Sequence, residues 1–269
     1  MINFVYQKPT SITDAVMALS KSEDGLFLAG GQTLIPVLKQ GLATPSDIID
    51  LGGINDLKGI VAKKHSVLIG ATTTHSEVET SPVIREHIPA LAELAGQIGD
   101  PHVRNLGTLG GALANNDPSA DYPAAVLGLG ATIHTNQRSI SSDDFFVGLF
   151  QTALNPGEMI VHVEFPIPEK SGYAKFPNPA SRYAIVGVFV SSFSGKVRVS
   201  VTGAESCVFR QVSFEEALTE NFAIDALTDF IVPSDRFNSD LHASAEYRAQ
   251  LVRVMACRVI AMIDEAKKQ

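Results

Sequence analysis

Two glycine bends limit what this chain can fold into. In the first, Leu26-Phe27-Leu28-Ala29-Gly30-Gly31-Gln32-Thr33-Leu34-Ile35-Pro36, an apolar run with strand character enters Gly30-Gly31. Leu34, Val37 and Leu38 then follow at helical spacing until Gly41. The second lies within Ile98 to Pro123, IGDPHVRNLGTLGGALANNDPSADYP, which holds four glycines, three asparagines and three aspartates between apolar segments. A stretch so poor in core residues reads as a loop with a task other than packing. Glycine adopts positive φ without steric penalty and lets the backbone approach another group with no Cβ in the way.

Both bends suit the same chemistry. Successive amides in Gly107-Thr108-Leu109-Gly110-Gly111, with Ala112 after them and the Thr108 hydroxyl beside them, are expected to point several donors one way and to hold a phosphate without a basic side chain. The strand, glycine turn and helix start of residues 26–36 predict a second anion site of the same kind. A lone Gly-Gly marks a plain turn far more often than a ligand. Two such bends in one chain instead favour a ligand with two linked phosphates, a dinucleotide. Asp117-Pro118 reads as a helix cap with proline at the first helical position. Asp121, one turn later, is not needed for capping, so its carboxylate is expected to be free to accept a hydroxyl of a sugar or ribityl chain.

Composition excludes several alternatives. A chain of 269 residues, 45% hydrophobic and 19% charged, is ordinary for one or two buried cores. The net charge of −8 argues against nucleic acid or an anionic membrane as partner, since either would select a basic face. MINFVYQKPT lacks the charged and apolar regions of a secretory signal, and no apolar run reaches membrane-spanning length, which predicts a soluble, cytoplasmic protein with no membrane span. The two cysteines, Cys207 and Cys257, read as core thiols and are too few for an Fe–S cluster, which usually takes four thiolates. Gly128-Leu129-Gly130 begins like a Rossmann fingerprint but has Ile133 where the third glycine belongs, and it leads from helix into strand. The seven histidines have no metal-ligand spacing, so no metal site is expected, and no nucleophile elbow or carboxylate pair suggests acid–base catalysis. Any redox chemistry then belongs to a cofactor.

In chain order, three units emerge. Residues 1–55 read as a small α/β lobe: a helix capped by Ser11 to Asp14 with Ala15, Val16 and Leu19 on its apolar side, the first bend, a strand at Asp47 to Leu51, and a plain turn at Gly52-Gly53. Residues 56–170 form a second, α+β lobe with strands at Val67 to Ala71, Ala131 to His134 and Met159 to Phe165. Helices in this lobe open at Ser81-Pro82 and Pro89 and cover Tyr122 to Leu129. Thr72-Thr73-Thr74-His75, at a strand end, reads equally as a ligand-facing cluster or as an N-cap by Thr74 beside a surface histidine. Residues 171–269 turn to β, with strands at Tyr183 to Ser191 and Lys196 to Thr202 joined at Ser194-Gly195. A helix with a capping box at Ser213 to Glu216 and a closing helix from Tyr247 to Lys267 complete the chain.

AGGQTLIP and RNLGTLGGALANNDPSAD, with FVYQKPTSITDAV, IGATTTHSEVE, YAKFPNPASRYAIVGV and YRAQLVRVMACRVI in the same order, resemble the FAD-binding medium subunit of molybdenum hydroxylases. This is the family of the carbon monoxide dehydrogenase flavoprotein and the xanthine dehydrogenase FAD domain, and the resemblance spans the whole chain. It implies an α+β fold: a two-lobed FAD-binding domain of the PCMH, vanillyl-alcohol oxidase-like type, plus a C-terminal β-sheet and helix subdomain. It implies FAD as cofactor, held by Leu28, Ala29, Gly30, Gly31, Gln32, Thr33 and Leu34 from the first bend and by Thr108, Leu109, Gly110, Gly111, Ala112 and Asp121 from the second. Thr74, His75 and Ile160 are placed near it, Ile98 packs on the isoalloxazine, and Tyr183, after Arg182, shields the flavin ring. Where some relatives carry lysine in the following strand this chain has Val186, so no direct charge on the flavin edge is expected from that position.

The implied role is an electron-transfer flavoprotein, an oxidoreductase subunit in a hetero-oligomer with a small 2Fe–2S subunit and a large molybdopterin subunit. Two alternatives stay open on the sequence: a stand-alone flavin oxidase or reductase of the same fold, and a non-enzymatic assembly subunit whose glycine bends are merely turns.

Overall fold

The computed structural model describes residues 3–266, arranged around three larger sheets and a two-stranded one, Phe146–Gly148 with Gln151–Thr152. The expected last residue of the closing helix, Lys267, lies outside the described residues, and that helix runs Ala245–Ala266.

The first sheet is wholly parallel. Asp47–Asp50 lies between Val5–Gln7 and Gly25–Leu28, with Ile48 opposite both Tyr6 and Leu26. Parallel neighbours need crossovers, and the helices Ile12–Lys21 and Leu34–Lys39 lie in the two connections. Ser11 caps the first helix by accepting from the Asp14 amide, which buries Ala15 against Ile49, Leu51, Ile54 and Leu57. The Gly30-Gly31 bend therefore sits just past the C-terminal end of a parallel strand, where open α/β sheets place their ligands.

The second sheet is antiparallel, in the order Ile60–Ala62, Ser66–Gly70, Ile160–Pro166, Thr132–Thr135, Ser139–Ser141. Its alternating Val67, Ile69, Val163 and Phe165 pack under the helices of residues 75–129. The stretch expected to be a loop is largely helical. Asp100 accepts from the His102 and Val103 amides and starts Pro101–Leu106, and Thr108 starts Leu109–Asn115, whose Leu109 and Leu113 are fully buried. Asp100-Pro101 was the cap signal to read. Asp117, by contrast, caps no helix. It accepts from Ser119 in a tight turn, and the next helix, Tyr122–Leu129, begins with Pro123 in its first turn.

Every residue of Tyr122–Leu129 is buried, as expected of a helix apolar all round and packed between two sheets. One of these is the second sheet. The other is the antiparallel sheet Lys170–Pro177, Ala184–Phe193, Lys196–Thr202, Phe209–Arg210. Ser200 Oγ donates to the Ala124 carbonyl at 2.5 Å and Ser191 Oγ to that of Gly128 at 2.6 Å, so two small hydroxyls hold the helix on this sheet. Ser194 and Gly195 both take positive φ in the expected hairpin. The helix Val212–Glu220 starts without a side-chain cap, correcting the capping box expected at Ser213. Ser213 lies inside the helix rather than before it, and Glu215 accepts from the Val199 amide and from Arg210. Among the described residues no helix is long and apolar enough to cross a membrane.

Candidate functional site

A cleft of about 710 Å³ runs between the first two sheets and ends at the loop before Ala184. Leu28, Ala29, Gly30, Gly31, Gln32, Thr33 and Leu34 line it from one side. His75, Ile98, Thr108, Gly110, Gly111, Ala112, Asp121 and Ile160 line it from the other, and Tyr183 closes one end. Sixteen of the eighteen residues selected on the sequence thus share one cavity. Thr74 and Leu109 lie outside its lining. Thr74 is spent on a capping box with Glu77, and Leu109 is core with no exposed surface.

The two glycine bends touch. A Cβ on Gly30 would stand 2.7 Å from the Cα of Gly107, and one on Gly111 would meet the Ala29 Cβ at 3.6 Å. They do not contribute in the same way. The amides of Gly30, Gly31, Gln32, Thr33 and Leu34 have no acceptor among the described residues, and Gly31 holds a left-handed φ of 72°. In the second bend, Leu109 N–H donates to Thr73 O at 3.1 Å, Gly110 N–H to Ala71 O at 2.8 Å, and Gly111 N–H to Thr108 Oγ1 at 3.1 Å. The expectation of several free glycine donors there is corrected. The bend is the first turn of a capped helix, so the protein itself uses those amides. What remains is the Thr108 amide and the proton of its hydroxyl, while Gly110 allows close approach, since a Cβ on it would overlap Ala71 at 2.6 Å.

His75 is no surface histidine. It is 4% exposed, its Nδ1 has no partner among the described residues, and its ring lies 5.2 Å from that of Tyr122, whose buried hydroxyl likewise has none among them. Burial, with the nearby Arg104 charge, lowers the imidazole pKa to about 4, so it is neutral at physiological pH. Tyr122 lines the cleft but is not among the residues selected on the sequence, which reads it only as the start of a helix to Leu129. A tyrosine directly after Asp121 was the available signal.

Asp121 is not free. Tyr173 Oη donates to its Oδ1 and Lys175 Nζ to its Oδ2 at 3.0 Å, in a pair almost wholly out of water. Burial raises its carboxyl pKa, opposed by the ammonium and the phenol. Neither partner is near in sequence, so the pairing was invisible until strand Lys170–Pro177 was placed. Val186 is fully buried in the core under the closing helix and reaches no part of the cleft.

Comparison with known proteins places this arrangement. Residues 2–168 match the family described as FAD binding domain in molybdopterin dehydrogenase. The chain is 35% identical to the nicotine 6-hydroxylase medium subunit of Paenarthrobacter nicotinovorans, covering 95% of each, and 34% identical to the carbon monoxide dehydrogenase medium chain of Afipia carboxidovorans, covering 96% of each. Among solved structures, reconstituted CO dehydrogenase from Oligotropha carboxidovorans superposes with a TM-score of 0.90 at 31% identity over 98% of both chains. Quinoline 2-oxidoreductase from Pseudomonas putida 86 does so with 0.88 at 29% over 98% of both. The chain belongs to the FAD-binding family of the molybdopterin dehydrogenases, and it is an oxidoreductase subunit whose cofactor is FAD.

Proposed function

We propose that this chain is the medium subunit of a cytoplasmic molybdenum hydroxylase, passing electrons from the clusters of a small 2Fe–2S subunit to an external acceptor, while a large molybdopterin subunit oxidises the substrate. Bound FAD supplies the step between one-electron and two-electron carriers. The chain's own residues bind and orient it. In this reading the amides of Gly30 to Leu34, with the Thr108 amide and hydroxyl, hold the diphosphate, and His75 and Tyr122 offer polar atoms along the cleft. Ile98 and Tyr183 flank the ring system.

One observation carries the reading: five consecutive unpaired amides lie against a second bend that no side chain separates from them. Such a run left unbonded would be costly unless water or a ligand satisfied it, and a diphosphate meets the need without a basic residue. The orphaned His75 and Tyr122 atoms support the same fit. The test is titration of the purified chain with FAD. The expected result is saturable quenching of flavin fluorescence that Gly30→Val abolishes; no binding by the unaltered chain overturns the reading. Co-purification of Fe–S and molybdopterin subunits from the native host tests the assembly, and recovery of the chain alone overturns that part.

A further inference from the structure

Three cations hold three consecutive carbonyls in the turn that carries Ile98. Lys175 Nζ donates to Gln97 O at 2.8 Å, Arg104 Nη1 to Ile98 O at 3.2 Å, and Arg182 Nη1 to Gly99 O at 2.9 Å. Gly99 takes a left-handed φ of 51°, and a Cβ on it would meet the Val103 Cβ at 3.0 Å, so glycine is what the turn accommodates there. Lys175 also donates to Arg182 O at 2.9 Å, from the end of the loop that presents Tyr183. Arg182 is itself in the left-handed region, with a φ of 64°, and is held by its amide on Asn178 O at 2.8 Å. A single buried ammonium therefore joins the backbone under Ile98 to the backbone under Tyr183, and Arg182 joins them a second time. Arg104 is tied elsewhere, to Glu79 at 2.8 Å, and fixes the turn alone.

We propose that Lys175 and Arg182 are positioning residues that set the spacing between the Ile98 turn and the Tyr183 loop, and so the width of the slot at that end of the cleft for a flat ring. This rests on the reading above, in which the isoalloxazine occupies that end and the diphosphate lies near Gly30. An ammonium with three carbonyl or carboxylate acceptors has its donors fully used, so it holds geometry without touching the ligand. The separation of the two ends makes the inference testable. A clamp at the ring end acts on FAD and leaves ADP, which lacks the ring, alone.

The experiment measures FAD and ADP dissociation constants by equilibrium titration for the full chain, Lys175→Met and Arg182→Gln. Lys175→Met is expected to weaken FAD at least tenfold while ADP stays within twofold of the unaltered chain. Arg182→Gln, at an exposed side chain in the cleft wall beside Tyr183, is expected to weaken FAD severalfold with the same indifference to ADP, and it carries the test should Lys175→Met fail to fold. Unchanged FAD affinity in Arg182→Gln, or equal weakening of FAD and ADP in either folded variant, overturns the proposal. Failure of the underlying reading looks different, because the unaltered chain would then bind neither ligand.

Discussion

The Cα of Gly30 faces the carbonyl oxygen of Leu106 so closely that a Cβ built on Gly30 would stand 2.1 Å from that oxygen. Backbone meets backbone here, and no flexible side chain can give way. Gly30→Ala must therefore spread the two bends, with an overpacking cost of about 1–3 kcal/mol. If the spread falls on the bound state, FAD affinity drops about tenfold per 1.4 kcal/mol. Gly41→Ala is the control: its φ is 70° but nothing lies within 4 Å, so the expected cost is the left-handed strain alone, about 1 kcal/mol, with FAD affinity unchanged. Titration and denaturant unfolding of both variants check this, and equal effects on FAD would refute it.

His75 makes stability depend on pH in a defined window. Its folded pKa, about 4, lies below the ordinary 6.5 because burial and Arg104 disfavour the imidazolium. Above pH 6.5 neither state is protonated and the residue contributes no slope. As pH falls from 6.5 to 4 the unfolded chain gains a proton that the folded chain refuses, and stability drops by roughly 3 kcal/mol in total. His75→Asn removes that titration. Urea unfolding at a series of pH values should show a flatter profile for the variant between pH 6.5 and 4, and parallel profiles would contradict the assignment.

How much of this was legible follows from the range of each interaction. Ala29 to Leu34 could be read from order alone, because strand, glycine turn and helix are adjacent in sequence and their amides point where local geometry sends them. The occupied amides of Gly110 and Gly111 could not, since their acceptors, Ala71 O and Thr108 Oγ1, depend on how a capped helix docks on a distant strand end. Asp121 failed for the same reason at longer range. Its partners, Tyr173 and Lys175, stand more than fifty residues away. The helix Pro101–Leu106 was missed for a local reason. Glycine, asparagine and aspartate suggested a loop by composition, although Asp100-Pro101 already carried the cap.

Breaking the Asp121 pair should be far worse than removing it. Asp121→Ala leaves the Lys175 ammonium, with 3% of its side chain exposed, facing only carbonyls, and a stranded buried charge costs roughly 3–5 kcal/mol. Asp121→Ala with Lys175→Met removes both charges and is expected to recover much of that loss, Lys175→Met alone being the fourth corner. A double-mutant cycle in denaturant measures the coupling. Additive losses would show that the two residues do not act as a pair.

Asn116 ends the helix that begins at Thr108, and two separable effects meet there. Its φ of 44° is left-handed, and its Nδ2 donates to Gly148 O at 2.9 Å and Gln151 O at 2.7 Å, tying the helix to the strands Phe146–Gly148 and Gln151–Thr152. Asn116→Gly keeps the backbone free to adopt that φ but leaves the two carbonyls without this donor, at about 1–3 kcal/mol. Asn116→Ala loses the same donor and adds left-handed strain of about 1 kcal/mol. Alanine should therefore be the more destabilising of the two by roughly that increment. Because Thr108 still caps the other end of the helix, both variants should keep FAD affinity within about twofold, a difference of ~0.4 kcal/mol. Thermal or urea unfolding beside FAD titration measures both quantities, and a glycine variant less stable than the alanine one would show that the backbone conformation is not what Asn116 supplies.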